Sequence, residues 1–188
     1  ATCFTPVTGQ HIYQSGDQYG LQNSTIWRVH DSKYADTLNR DAISITKGNF
    51  IVKLKNGSYR MALNWNMLGT WEIPFWKKRV LTVQGQPVRG GLRSTPQDYL
   101  DSFLRFEFVE PAPGDHPWDL YLAPIFKPIE VDFKVTNGVL KIVIDSDPTG
   151  AAINWLMIWP KDKDRQMKKF RAELQLAQKI DYSGLVRE

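Results

Sequence analysis

The 188-residue chain is 42% hydrophobic and 23% charged, which is typical of a folded domain and excludes a disordered segment. A chain of this length buries a core without disulfide bonds or a structural metal, and its single cysteine, Cys3, excludes an internal disulfide. The net charge is +4, but the cations are dispersed except at residues 77–79 and in the C-terminal tail, so nucleic acid is not the expected partner. No stretch approaches the ~20 apolar residues of a membrane span.

Two Asn-Gly dipeptides, at residues 56–57 and 137–138, lie between runs of alternating apolar residues. The four runs are residues 50–54, 58–63, 131–135 and 139–144. Asparagine and glycine both tolerate the positive φ angles of a type I′ turn. The sequence therefore predicts two β-hairpins.

Short apolar runs separated by glycine and proline continue along the chain. Further strand candidates are residues 42–45, 80–83, 104–109 and 153–159, and residues 84–86 form a turn candidate. In the last run, Trp155, Met157 and Trp159 share one face, and Leu156 and Ile158 share the other, so burial on both sides is expected. Many short strands with no helical pattern between them predict an all-β fold, an antiparallel β-sandwich or jelly roll.

The polar segment at residues 161–179 has a different period. Its recurring apolar residues are Met167, Phe170, Leu174 and Ala177. Steps of three and four residues predict an α-helix with one narrow apolar face, which either packs on the sandwich or leads to a neighbouring domain. We therefore expect a sandwich over residues 1–160 and a polar helical tail or linker over residues 161–188.

The chain carries few signals of catalysis. Its histidines, His11, His30 and His116, lie far apart and lack the spacing of metal ligands. No nucleophile elbow or phosphate-binding loop is present. Carboxylates are plentiful, and a glycosidase needs only two, but a pair cannot be located from one sequence. We expect a non-enzyme, with no catalytic residue assigned.

Residues 64–79 are unusually rich in aromatic side chains. Trp65 lies close to the preceding strand and is expected in the core, whereas Trp71 and Trp76, near a glycine and a proline, are expected to contact a ligand. Flat aromatic faces stack on the apolar faces of sugar rings, and neighbouring polar groups bind the hydroxyls. The cations at residues 77–79 either favour an acidic glycan or form a solvated entry into the next strand.

The ordered set of motifs resembles malectin-like, galactose-binding-like carbohydrate-binding domains. The resemblance covers residues 17–160 and rests on FIVKLKNGSYRMAL (residues 50–63), RVLTVQG (79–85), GVLKI (138–142) and AAINWLMI (151–158). It implies a jelly-roll β-sandwich that binds a glycan through loops at one end. Such domains occur as non-catalytic modules of polysaccharide-degrading enzymes and in lectins.

The resemblance also implies individual site residues. An early Tyr-Gly segment, the loop after the first strand pair and an acidic residue before the last strand form the site of the family. The matching residues here are Tyr19, Trp71, Trp76 and Asp147, and Trp27 and Arg28 follow Tyr19 closely enough to join them. No cofactor is expected, although galactose-binding-like folds often carry a structural calcium, for which Asp145 is a candidate ligand.

These observations lead to one hypothesis and two alternatives. The hypothesis is a secreted or cell-surface carbohydrate-binding module that targets an attached enzyme to a polysaccharide such as β-mannan, β-glucan or galactan. The alternatives are a catalytic β-sandwich, either a hydrolase or a lyase, and a structural interaction domain whose aromatic residues dock a neighbouring domain.

Overall fold

The computed structural model describes residues 4–31, 36, 38–65, 78–91, 96–99, 109–124, 126–146 and 150–183. The strands are β1 (Tyr19–Asp31), β2 (Asp41–Lys53), β3 (Gly57–Asn64), β4 (Arg79–Val83), β5 (Gln86–Gly91), β6 (Ile129–Val135), β7 (Val139–Ser146), β8 (Ala151–Ile153) and β9 (Trp155–Pro160). The helices are α1 (Pro96–Tyr99) and α2 (Asp164–Ser183), with a π-helical turn at Trp118–Leu122 and a 3₁₀ turn at Lys161–Lys163. None of these helices has the length and apolar character needed to cross a bilayer.

The strands form two sheets. The larger sheet has the order β1-β2-β7-β4-β5, with β8 also paired to β2, and the smaller sheet has the order β6-β3-β9. The pairs between these strands are antiparallel. The protein is therefore an antiparallel β-sandwich of the jelly-roll type with a C-terminal α-helix, which confirms the predicted fold class.

Both predicted hairpins are wrong, because each Asn-Gly dipeptide joins strands of different sheets. Strand β2 belongs to the larger sheet and β3 to the smaller one, and the same holds for β7 and β6. Each connection is therefore a β-arch. A type I′ turn needs two consecutive positive φ angles, and of the four Asn-Gly residues only Gly138 has one, at 77°.

The two arches lie against each other. Leu54 N–H donates to Gly138 O at 3.0 Å, and Gly138 N–H donates to the side-chain Oδ1 of Asn56 at 2.8 Å. The physical reason for the arches lies in the core. A hairpin would place its two strands side by side, whereas an arch lets the apolar faces of β2 and β7 oppose those of β3 and β6 across the space between the sheets.

A genuine two-residue hairpin occurs between β4 and β5. Val83 pairs with Gln86, and the intervening Gln84 and Gly85 have φ angles of 50° and 80°. These are the two positive angles of a type I′ turn. The turn predicted at residues 84–86 is thus confirmed, even though its first residue is glutamine.

The main core fills the space between the sheets. Leu140, Ile142 and Ile144 of β7 and Met61 and Leu63 of β3 are at most 1% exposed. The partly buried side chains of Phe50, Val52, Leu156 and Ile158 pack against this cluster. The strand predicted at residues 153–159 is divided at Asn154 into β8 and β9, which lie in different sheets.

Helix α2 covers the outer face of the smaller sheet. Met167, Phe170 and Leu174 pack against the buried cluster of Ala62, Met157 and Trp159, whereas Ala177 is exposed. Both faces of β9 are therefore buried, one by the main core and one by the helix, as its apolar pattern predicted. The strand predicted at residues 104–109 lies almost wholly outside the described residues.

Candidate functional site

The sandwich has two ends, which we name by their connections. The arch end carries the arches at residues 53–57 and 135–139. The loop end is the opposite end, where β3 ends at Asn64, β7 ends at Ser146 and β4 begins at Arg79. In the ladder between β4 and β7, Arg79 pairs with Ser146. The segments at residues 66–77 and 147–149 therefore leave the larger sheet from one point.

This geometry bears on the residues predicted from the resemblance. Trp71, Trp76 and Asp147 lie within those two segments and outside the described residues. The strand ends that carry them are neighbours, which is the arrangement that a shared site requires. Their assignment as ligand-binding residues stays a prediction.

Trp65 and Arg79 form the inner part of the loop end. Trp65 is 5% exposed and belongs to the main core, as predicted. The guanidinium carbon of Arg79 lies 4.4 Å from the centroid of the Trp65 ring, within cation–π range, and its Nη2 donates to the backbone oxygen of Trp65. The cation therefore holds the end of β3 against the start of β4.

Lys78 and Asp145 form an ion pair beside it. Lys78 Nζ contacts Asp145 Oδ2, and both side chains are about 40% exposed, at 39% and 40%. Two of the three consecutive cations thus have partners within the protein, which favours the interpretation of these two as part of the strand entry. Lys77 lies outside the described residues.

Asp145 was also the candidate calcium ligand. Its carboxylate is engaged by Lys78. Within the described part of the chain, no group of three or more histidine, cysteine, aspartate or glutamate side chains is arranged to hold a metal ion. The described residues on either side of the 66–77 segment therefore supply a cation–carboxylate pair at the surface and, beneath it, a tryptophan buried in the core.

A buried hydroxyl lies at the same point. Ser146 is 8% exposed, and its Oγ has no hydrogen-bond partner among the described residues. Buried polar groups are rarely left unpaired in folded proteins. Nearby, the side-chain amide of Asn64 is satisfied, since its Nδ2 donates to Phe126 O at 2.8 Å. Ser146 thus retains hydrogen-bonding capacity at the end of β7, where it pairs with Arg79 at the start of β4.

Tyr19 is not brought together with the loop end. It pairs with Val52, five residues along β2 from Lys47, which pairs with Asp145. At about 3.3 Å per residue, Tyr19 lies about 17 Å from Asp145 along the strands. Its ring stacks on His11 at 4.7 Å. The resemblance grouped Tyr19 with the loops, and a sequence does not reveal the end of the sandwich at which a residue lies.

Trp27 and Arg28 lie on the same strand as Tyr19 but nearer the loop end. Arg28 pairs with Ser44, and the register shifts between Ile26 and Arg28. Trp27 is 44% exposed, and its ring centroid lies 5.9 Å from that of His30. The structure therefore separates Trp27 from Tyr19 by eight residues of strand, or about 25 Å.

His30 is a polar neighbour of Trp27 on the same strand. Its Nε2 forms a 2.7 Å hydrogen bond with Ser44 Oγ, and Ser44 is only 1% exposed. Partial burial lowers the pKa of His30, and the positive charge of Arg28 lowers it further. His30 follows Trp27 by three residues in the sequence, and in the bulged strand β1 their ring centroids lie 5.9 Å apart.

The buried carboxylate among the described residues, Asp36, has a structural role. Its Oδ1 accepts from the backbone N–H groups of Leu38 and Asn39 at 3.0 and 3.1 Å and from Gln178 Nε2 of helix α2 at 3.2 Å. Asn39 in turn accepts from the indole of Trp155 at 2.9 Å. This network joins the β1–β2 connection to β9 and to the helix.

Comparisons with known proteins give a likeness of fold. No protein-family model and no curated protein sequence matches the chain. Its structure is similar to that of the protein YxiM from Bacillus subtilis, with a TM-score of 0.51 and 14% identity over 85% of this chain and 36% of that one. Weaker similarity is found to beta-glucuronidase 2 from Bacteroides uniformis (TM-score 0.45, 11% identity, 79% of this chain and 14% of that one). A family 35 carbohydrate binding module from Clostridium thermocellum also matches (TM-score 0.37, 11% identity, 76% and 92%).

Proposed function

We propose that this protein is a non-catalytic carbohydrate-binding module that holds a polysaccharide at the loop end of its sandwich. The observation that carries the proposal is the pairing of Arg79 with Ser146, which makes the aromatic-rich segment 66–77 and the acidic segment 147–149 leave the sheet from one point. Aromatic walls with a few placed polar groups are the usual composition of a ligand site.

Each part of the site has a role in this proposal. Trp71 and Trp76 stack on the apolar faces of sugar rings, and Asp147 accepts hydrogen bonds from hydroxyl groups. The buried frame of Trp65 and Arg79 keeps the two segments in place. Because each ring contributes about 1 kcal/mol beyond simple burial, the dissociation constant falls in the micromolar to millimolar range.

The proposed ligands are hexose or pentose polymers such as β-mannan, β-glucan, xylan or galactan. The partners of Lys78 and Arg79 lie within the protein, so stacking and hydroxyl recognition carry more of the affinity than charge does. A module of this kind acts outside the cell and is attached to a catalytic domain, whose substrate it keeps close. Both of these statements are part of the proposal.

The packing of helix α2 on the chain's own sheet argues against the alternative of a structural domain that docks a neighbouring domain. The apolar stripe of α2 was the feature that favoured a neighbouring domain, but Met167, Phe170 and Leu174 pack on the chain's own sheet. Of the exposed large apolar side chains among the described residues, only Leu176 lies on the helix. The stripe is therefore not offered to a partner.

The test is affinity electrophoresis and calorimetry against soluble β-mannan, β-glucan, xylan, galactan and pectin. Trp71→Ala and Trp76→Ala are compared with Ile12→Ala, which truncates a 52% exposed apolar side chain far from the loop end. We expect one polymer to retard the parent protein and Ile12→Ala equally. Either tryptophan variant should bind that polymer at least about tenfold more weakly, which is a loss of about 1.4 kcal/mol. Circular dichroism and melting temperature check that the variants fold.

Two outcomes would overturn the proposal. Absence of binding to every polymer, or binding that neither tryptophan variant weakens, removes the loop end as a glycan site. Release of reducing ends or unsaturated products from a bound polymer shows a catalytic sandwich instead of a binding module.

A further inference from the structure

The exposed tryptophan on β1 is held by the sheet in an unusual way. Ile26 packs against the main core and pairs with Ile45, while Arg28 pairs with Ser44. The register shift between them leaves Trp27 as the extra residue of a β-bulge, a device that re-aims a side chain. Ile26 packs on the core, whereas the side chain of Trp27 is 44% exposed, so the bulge turns Trp27 away from the core. Because Trp27 lies within a paired strand, its exposure is not that of a frayed segment.

One polar side chain lies at a fixed position beside the exposed indole, and the charge of a second acts on it. His30 lies against Trp27, with ring centroids 5.9 Å apart and planes inclined by 48°, and Ser44 holds His30 through its Nε2. The imidazole has a second ring nitrogen, Nδ1, and its lowered pKa keeps it neutral near pH 7. Exposed Arg28 adds a planar group with five N–H donors. A flat apolar face accompanied by an imidazole nitrogen and guanidinium N–H donors matches one sugar ring, which has an apolar face and a rim of hydroxyls.

We propose that Trp27, Arg28 and His30 form a second glycan-binding surface, which takes one pyranose ring on the exposed face of Trp27. The choice of a sugar as the ligand rests on the proposed function. In the sheet order β1-β2-β7-β4, this surface lies three strand spacings from Arg79, or about 14 Å at about 4.8 Å per spacing. One sugar ring does not span that separation, so the surface binds a different residue of the polymer from the loop end.

The test is a titration with sugar hexaoses, followed by NMR of the indole N–H and imidazole signals. It uses the Trp71→Ala/Trp76→Ala double variant, in which the proposed loop-end site is removed. The probes are the hexaoses of β-1,4-mannan, β-1,4-glucan, β-1,4-xylan and β-1,4-galactan. The Trp27 signal is assigned by its disappearance in Trp27→Phe.

We expect the indole signal of Trp27 and the ring signals of His30 to shift together with one hexaose. Adding Trp27→Ala should weaken this binding at least about tenfold, to the limit of detection. Val29→Ala is the matched control, because Val29 is 63% exposed on the same strand but lies beyond the indole, and it should leave the titration unchanged.

The possible failures can be told apart. If the intact protein binds a hexaose but the double variant shows no shift at Trp27, the second surface is overturned and the loop-end proposal stands. If Trp27 shifts in the double variant and the parent protein loses nothing through Trp71→Ala and Trp76→Ala, the loop-end proposal fails and the second surface stands. If no hexaose shifts any indole signal, or if Trp27 signals change only with protein concentration through self-association, the second surface is overturned.

Discussion

The arch end and the loop end join the same two sheets, but they use their polar side chains differently. At the arch end, these side chains complete the backbone. Asn56 accepts from Gly138 N–H, and Gln84 both accepts from Lys141 N–H and donates to Val139 O, each at 3.0 Å. At the loop end, Lys78 pairs with Asp145, Arg79 lies over Trp65, and the hydroxyl of Ser146 is buried without a partner among the described residues.

This difference separates a structural end from the end at which we propose that a ligand binds. Side chains that satisfy their own backbone have little capacity left for a ligand, whereas the exposed Lys78–Asp145 pair and the hydroxyl of Ser146 leave polar groups at the loop end. The Asn-Gly dipeptides are the most conspicuous local signals in the sequence, yet both lie at the arch end, opposite the end at which we propose glycan binding.

The largest effect is expected from Trp65→Ala. Trp65 is 5% exposed in the main core and under the guanidinium of Arg79, so its removal should lower the free energy of unfolding by about 3–5 kcal/mol. Urea denaturation measures this loss. The exposed Trp27→Ala serves as the control and should stay within about 0.5 kcal/mol of the parent. Equal losses in both variants would contradict the assignment of Trp65 to the frame of the loop end.

The two ends can be compared through substitutions of two glycines that have nearly the same φ angle. Gly138 at the arch end and Gly150 at the loop end have φ angles of 77° and 76°. A Cβ at Gly138 would come no nearer than 3.9 Å to the atoms around it, but at Gly150 it would lie 3.1 Å from the backbone of Ile45. Gly138→Ala should therefore cost about 1–2 kcal/mol from backbone strain alone.

Gly150→Ala should cost about 1–3 kcal/mol more, because the backbone of β2 cannot shift without disturbing the sheet. Thermal and urea unfolding of the two variants give the difference, with Gly85→Ala, at φ 80° and with nothing within 4 Å, as a second strain-only reference. Losses of the same size at Gly138 and Gly150 would show that the loop-end backbone is not closely packed on β2.

Asn56→Ala should have a smaller effect. It removes the acceptor of the 2.8 Å bond from Gly138 N–H and should cost about 1 kcal/mol in urea unfolding. Asn137→Ala is the matched control in the other arch, because its bond to Val139 N–H is longer, at 3.4 Å. A loss at Asn137 as large as that at Asn56 would indicate that the contact between the arches is not what stabilises this end.

The smallest effect concerns pH at His30. Its pKa is lowered in the folded state by burial and then by Arg28, so below its ordinary value of 6.5 the unfolded chain binds a proton more readily. Stability should therefore be complete above pH 6.5 and fall as the pH drops through the folded-state pKa. An NMR titration of His30 should give a midpoint below 6.5, and Arg28→Gln should raise it. A midpoint at or above 6.5 would contradict the burial of the ring against Ser44.

Much of the fold can be predicted from patterns within single strands. Alternation over residues 50–54 and 139–144 correctly indicates strands with one face in the core, and the three- and four-residue steps of Met167, Phe170 and Leu174 correctly indicate the helix. The two apolar faces of β9 correctly indicate burial on both sides. These properties depend on which side chains a local backbone period places together, and the sequence contains that information.

The site could be predicted only in part for the same reason. The aromatic residues of the 66–77 segment are visible in the sequence, but strand β1, which carries Tyr19 and Trp27, was not among the predicted strands. Two features of the site depend on strand pairs between residues that are distant in the chain. One is the pairing of Arg79 with Ser146, and the other is the separation of Tyr19 from that pair along the strands.

The sequence by itself therefore determined the strands beside the two Asn-Gly dipeptides, the C-terminal helix, the all-β sandwich and the aromatic residues of the 66–77 segment. Tertiary structure decided which strands became neighbours, turned both Asn-Gly dipeptides into arches and divided the run predicted at residues 153–159 between two sheets at Asn154. The physical reason is that a turn dipeptide limits only the local φ and ψ angles, whereas the choice between a hairpin and an arch depends on burying both apolar faces in one core between the two sheets.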